Sequence, residues 1–186
     1  MPTIRILVSL SLSIILAGCG GAALAPLANV ALEAAGIRKP PELPESQKPP
    51  RNVPLRLHAA GKLNADSEGH PLALSARLYK LRQKAAFEQM PYAAFLNPQL
   101  ERESLGADLI EVREIMLVPG QRYEVTEKVG REAGHIGIVA LFHRPAAQRW
   151  RAAFNALDAE REGITVGLHT CAMSVGTATL GSVRCQ

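Results

Sequence analysis

The chain has 186 residues, with 21 Lys and Arg against 17 Asp and Glu, and 47% of it is hydrophobic. That length suits one domain with appendages. The net charge of +4 is small and its basic residues are scattered rather than striped, which argues against a nucleic-acid partner.

The N-terminus reads as three zones. Residues 1–5 carry one positive charge, Arg5. Residues 6–16 are apolar apart from Ser9, Ser11 and Ser13, and then come Leu16, Ala17, Gly18 and Cys19. A basic start, a short apolar core and small residues before a cleavage point describe a secretory signal. The apolar run is shorter than the roughly 20 residues a membrane span needs. Leu-Ala-Gly-Cys resembles the bacterial lipobox. That resemblance implies cleavage between Gly18 and Cys19, a thioether-linked diacylglycerol on the Cys19 sulfur and an acylated amine. Multiple acyl chains give stable anchoring. Gly20 stands where an aspartate would retain such a protein in the inner membrane, so the implied destination is the outer membrane, facing the periplasm.

Residues 1–18 are thus expected to be a signal peptide and 19–53 a lipid-anchored linker rich in Ala and Pro. The folded domain is expected over 54–186. Pro40, Pro41, Pro44, Pro49, Pro50 and Pro54 crowd residues 38–54. An extended, polyproline-like segment of that length reaches roughly 50 Å and would hold a domain away from a lipid surface.

Leu55, Leu57, Ala59, Gly61 and Leu63 alternate with Arg56, His58, Ala60 and Lys62, the period of a half-buried strand. Asn64, Ala65, Asp66, Ser67, Glu68, Gly69, His70 and Pro71 carry turn chemistry. Leu72, Leu74, Ala76 and Leu78 then share one face of a second strand, expected to pair antiparallel with the first. Residues 82–96 change period and read as a short helix interrupted at Pro91. Asn97 and Pro98 offer a cap and a first-turn proline for a second short helix through Leu105.

Strands return at 109–118, with Ile110, Val112, Met116 and Val118 expected inward. Pro119 and Gly120 suit a type II turn. Residues 122–129 alternate through Tyr123, Val125 and Val129. Residues 136–142 are apolar on both parities, as in a central strand. Residues 149–154 place Trp150, Ala152 and Phe154 on one face, with Trp150 expected in the core. Residues 164–173 bring Ile164, Val166 and Leu168 inward, and a last short strand ends near Cys185. Seven or eight short strands with polar turns predict a mainly β sandwich with a short helical insertion.

Cys171 and Cys185 remain once Cys19 is taken by lipid, and an even number in an oxidising compartment reads as a disulfide. A hairpin centred near Ala178 would bring them together, although Cys171 has the opposite parity to Ile164, Val166 and Leu168. His169 with Cys171 supplies too few ligands for zinc, so no metal site is expected. His58, His70, His135, His143 and His169 share no spacing. Glu101 with Glu103, and Asp158 with Glu160 and Glu162, alternate with arginines as a solvated face or loop does. No nucleophile, metal or phosphate-loop motif occurs. The residues alone therefore describe a tethered binding or structural domain, with no catalytic residue, cofactor or small-molecule substrate expected.

Three segments, in order, resemble the type VI secretion lipoprotein family, TssJ. LALSARLYKLRQKAAFEQM at 72–90 is similar to its second strand and following helix. LVPGQRYEV at 117–125 is similar to its Pro-Gly turn. HIGIVALFHRP at 135–145, with RWR at 149–151, is similar to its central and tryptophan strands. The resemblance implies a transthyretin-like β-sandwich in the membrane complex of a type VI secretion system. It further implies a partner, the periplasmic C-terminal domain of TssM, contacted by the loop between the first two strands, here residues 64–71.

Overall fold

The computed structural model describes residues 42–176 and 183–185. Among the described residues, eight strands form two four-stranded sheets. One sheet has the order β4-β1-β7-β8, from β1 (Arg51–Ala59), β4 (Arg122–Val129), β7 (Ile164–Leu168) and β8 (Met173–Val175). The other has the order β3-β2-β5-β6, from β2 (Leu74–Leu81), β3 (Leu109–Leu117), β5 (His135–Ala140) and β6 (Arg151–Asn155). Inward side chains of both sheets, among them Leu55, Leu57, Leu74, Ile138 and Val166, merge into one core.

β1 starts four residues before the expected Leu55, because Val53 is buried and Arg51 pairs with Val129. Pro54 fits inside the strand because the ladder with β7 begins only at Leu55; a proline is tolerated where no donor is required of it. Gly61 and Leu63, expected in this strand, lie beyond its end. β1 and β2 do not pair as the sequence suggested. They belong to different sheets, so the connection 60–73 crosses the sandwich. Leu72 lies outside β2 and is exposed, unlike its expected face-mates Leu74, Ala76 and Leu78.

Three helices after β2 form the insertion: α1 (Ala85–Gln89), α2 (Tyr92–Phe95) and α3 (Pro98–Leu105). Pro91 separates the first two. The Asn97 side chain accepts from the backbone N–H of Gln99 and Leu100 and caps α3. The insertion covers the outward side chains of β2, so Tyr79 and Leu81 are buried as well as Leu74, Ala76 and Leu78. Phe87 lies on Gly137 of β5, where a Cβ would stand 2.6 Å from the ring. Tyr79, Phe87, Phe95, Tyr92 and Trp150 form a chain of tilted and edge-on rings with centroids 5.0–5.9 Å apart. Trp150 is therefore a packing residue.

Glu101, expected on a solvated face, is buried beneath the helices. It accepts from the Tyr79 hydroxyl at 2.5 Å and from Arg77 Nη1 at 2.7 Å. Arg77 also donates to the Phe95 carbonyl at 2.9 Å. Burial, with Glu101 adjacent, holds the Tyr79 phenol well above its ordinary pKa.

Ile110, at a register shift, packs against the core as expected, but from Val112 on the parity of β3 is the reverse of the expected one. Leu117 and Ile115 face inward opposite Leu74 and Ala76, whereas Val112, Met116 and Val118 are exposed. Both parities of this edge strand carry apolar residues, and the pairing with β2 selects between them. Arg113, on the inward parity, pairs with Glu127 of β4 across the sandwich margin.

Asp158, Glu160 and Glu162, expected on a solvated face or loop, lie on helix α4 (Ala156–Glu162), with Asp158 and Glu162 exposed. Asn155 caps it through the N–H groups of Leu157 and Asp158. The strand expected over 164–173 divides into β7 and β8, an antiparallel pair with Leu168 opposite Met173. Residues 183–185 are not in a strand. The signal peptide, the lipidation site and the hairpin expected near Ala178 lie outside the described residues.

The last part of the expected linker is fastened to the domain. Arg131 Nε donates to the Pro49 carbonyl at 2.7 Å. Arg51 reciprocates by donating to the carbonyls of Gly130 and Ala133, both at 3.3 Å. Glu160 lies 3.3 Å from Arg131 and 3.5 Å from Arg51 and offsets their repulsion. Glu45, in a 3-10 turn (Glu45–Gln47), reaches both guanidinium groups from the linker side. Isolated surface pairs contribute little, but these arginines are largely buried and also hold backbone carbonyls.

Two outcomes are expected. Glu101→Ala leaves the buried Tyr79 hydroxyl without its acceptor and takes from Arg77 its buried carboxylate, and should destabilise the domain by about 3 kcal/mol in urea unfolding; a loss within error would remove the buried triad as an organiser of the insertion. Arg131→Ala should speed amide exchange at Gln47 and Lys48 severalfold while β4 stays protected. Equal exchange in the two proteins would show that the fastening does not depend on Arg131.

Candidate docking loop

The strand directions gather four connections at one end of the sandwich: 60–73, 118–121, 141–150 and 169–172. This follows from the pairs Ala59 with Leu168, His58 with Arg122, Leu74 with Leu117, and Ala76 with Ala140. Gly120, with φ +78°, occupies the position of the Pro-Gly turn that requires it, and Gln121 N–H closes the turn on the Val118 carbonyl at 3.1 Å. Arg51, where the linker enters, lies at the opposite end of β1.

Connection 60–73 has a buried base and an exposed tip. Leu63, Asn64 and Ala65 are buried, whereas Ser67, Glu68, Gly69, His70 and Pro71 are exposed. Asn64 and Ala65 are thus anchors and present little surface to a partner. Asn64 adopts φ +47°, a conformation asparagine tolerates. Its Nδ2 donates to the Ala73 carbonyl at 2.8 Å, and its Oδ1 accepts from His143 N–H at 2.6 Å. Its own N–H donates to the His169 carbonyl, and that of Ala65 to the Thr170 carbonyl, both at 3.0 Å.

The tip is organised by Asp66. Its Oδ1 accepts from the N–H of His70 and of Glu68, both at 2.9 Å. Its carbonyl accepts from Gly69 N–H at 3.3 Å, and its N–H donates to the His70 carbonyl at 3.0 Å. The His70 N–H, foremost, holds the Asp66 carboxyl below the usual carboxylate range, so the charge that closes the tip is present at neutral pH. The His70 ring lies 3.4 Å from both Asp66 and Glu68. A preformed acidic and imidazole-bearing tip on a fixed base suits recognition of a protein surface carrying hydrogen-bond donors.

A ligand-binding sandwich would need a hollow between its sheets, but that space is filled by the core side chains. One open groove of about 450 Å³ lies instead on the outer face of the first sheet, lined by His58, Arg122, His169 and Ser174 among others. His169 lies 3.0 Å from Ser174, and burial holds its pKa below the ordinary value. Among the described residues, no three metal-capable side chains come together, and no helix is long and apolar enough to cross a membrane.

Cys171 lies in the β7–β8 connection, outside either strand, which removes the parity conflict. It is bonded to Cys185 with Cα atoms 5.6 Å apart. Sequence reasoning located the exposed tip from its turn residues. It missed the anchoring role of Asn64, whose partners lie 9 and 79 residues away.

The profile of the type VI secretion lipoprotein family, described by the names VasD, EvfM and TssJ, matches residues 51–171. A search of curated protein sequences returns no match. Among solved structures, the type VI lipoprotein TssJ1 from Pseudomonas aeruginosa is 26% identical with a TM-score of 0.61, covering 72% of this chain and 100% of its own. A chain in a structure described as the TssM C-terminal domain from EAEC is 20% identical with a TM-score of 0.60, covering 69% and 99% respectively. Serratia marcescens Lip, described as a membrane-bound component of the type VI secretion system, is 18% identical with a TM-score of 0.60, also over 69% and 99%. With the profile spanning both sheets and the sandwich matching TssJ1 along its full length, the chain belongs to the type VI secretion lipoprotein (TssJ) family.

Proposed function

We propose that this chain is the outer-membrane-anchored member of a type VI secretion membrane complex. Its lipid sits on Cys19, and its connection 60–73 docks on the periplasmic C-terminal domain of TssM, joining outer to inner membrane. The observation that carries this reading is the opposition of the two ends of β1. The fastened linker enters at Arg51, and the organised loop leaves after Ala59. A connector between membranes needs its anchor and its grip on opposite sides of a rigid body, and a strand paired on both sides supplies that. The occurrence of a chain with this fold in a structure described as the TssM C-terminal domain supports the choice of partner. In this reading no bond is made or broken by the protein, and it takes no cofactor or small-molecule substrate. The exposed Glu68 and His70, with Asp66 behind them, meet donor groups on TssM.

Replacing residues 67–71 by Gly and Ser, with Asn64, Ala65 and Asp66 retained, should weaken binding of the purified TssM periplasmic domain at least about tenfold, or ~1.4 kcal/mol. The unfolding midpoint should stay unchanged. Unaltered affinity in a two-protein titration would take the tip out of the interface. Cys19→Ser should yield a folded domain that still binds TssM in solution but supports no secretion in cells. Normal secretion by that variant would make the anchor dispensable.

A further inference from the structure

We propose that the Cys171–Cys185 disulfide is a positioning device for the docking loop; this rests on reading connection 60–73 as the docking site. The β7–β8 connection offers the carbonyls of His169 and Thr170 to the N–H groups of Asn64 and Ala65. The next carbonyl, that of Cys171, accepts from Ala146 N–H at 2.8 Å. Ala146 belongs to connection 141–150, whose His143 N–H donates to Asn64 Oδ1. The three connections therefore close a ring of hydrogen bonds, and Asn64 and Cys171 are its two junctions.

On the Cys171 side of that ring, the turn closes through His169 N–H on the Ala172 carbonyl at 2.9 Å, and Met173 N–H donates to the Arg149 carbonyl at 2.7 Å. β8 has three residues and, among the described strands, pairs with β7. Cys171 packs in a small apolar cluster of its own, with Ala146 and Ala172, joined by the partly buried Val183 and Cys185 and separate from the main core. Two alanine methyl groups bury too little apolar surface to hold a turn in place. The bridge to Cys185, 14 residues on, adds a covalent constraint at Cys171 itself. Its effect reaches the loop because the residues beside Cys171 are the loop's own acceptors. A loop held in its docking conformation loses less freedom on binding.

The test uses the full chain carrying Cys19→Ser, with and without Cys171→Ala and Cys185→Ala together. Hydrogen exchange is followed at Asn64, Ala65 and in β1, β2 and β5, and affinity for the TssM periplasmic domain is titrated. Exchange at Asn64 and Ala65 should rise at least tenfold without the bridge while the strands keep their protection, and Kd should rise about tenfold. Unchanged exchange at Asn64 and Ala65 would overturn the proposal, and so would a uniform rise across the three strands, which marks a global stabiliser. A faster loop with unchanged Kd would uphold the positioning role and instead overturn the docking assignment of the loop.

Discussion

The two-sided pairing of β1 is the constraint on which the other features depend. The strand hydrogen-bonds antiparallel to β4 along most of its length and parallel to β7 over its second half. Val53, Leu55, Leu57 and Ala59 point into the core. Nine extended residues span about 30 Å, so the linker entry and the loop exit are held at a fixed separation by a strand that cannot slide. A one-residue slip would turn all four apolar side chains to water. Tension applied along β1 would load the ladders on both sides together.

The helical insertion solves a different problem. β2 is apolar on both faces towards its end, so one sheet face is not enough to cover it. α1 to α3 bury Tyr79 and Leu81 from outside, and Gly137 lets the Phe87 ring rest directly on the sheet. The buried Glu101, held by Tyr79 and Arg77, adds directional bonds to a packing that hydrophobic contact alone would leave free to shift. A charge buried in this way costs desolvation and need not raise stability, but it has a defined geometry.

Much of this could be read from the residues because it rests on local rules. The Asn97 cap with Pro98, the Pro-Gly turn and the alternation of β4 depend on neighbours in sequence. The failures occurred where distant partners decide. β3 carries apolar residues on both parities, and its register with Leu74 and Ala76 turns Val112 and Met116 outward. The β1–β2 connection has the composition of a hairpin turn, yet β1 is claimed by β4 and β7 and so cannot pair with β2. The Asn155 cap is the exception, a local feature masked because the alternation of β6 runs straight into it.

The proposed docking loop divides along the same line. Asp66 organises the tip through residues two and four positions away, so turn chemistry marks it. The base is set by carbonyls of His169, Thr170 and Ala73 and by the N–H of His143, which no local pattern announces. The division has a functional consequence. A tip that folds on its own can change its exposed side chains to follow a partner without disturbing the sandwich. The base cannot change so freely, because Asn64 meets three separate segments at once through its side chain and its backbone. Variation among relatives that bind different partners is then expected at positions 67, 68, 70 and 71, with a short polar residue able to adopt positive φ retained at 64. The loop can thus diversify in specificity while the direction in which it points stays tied to β1.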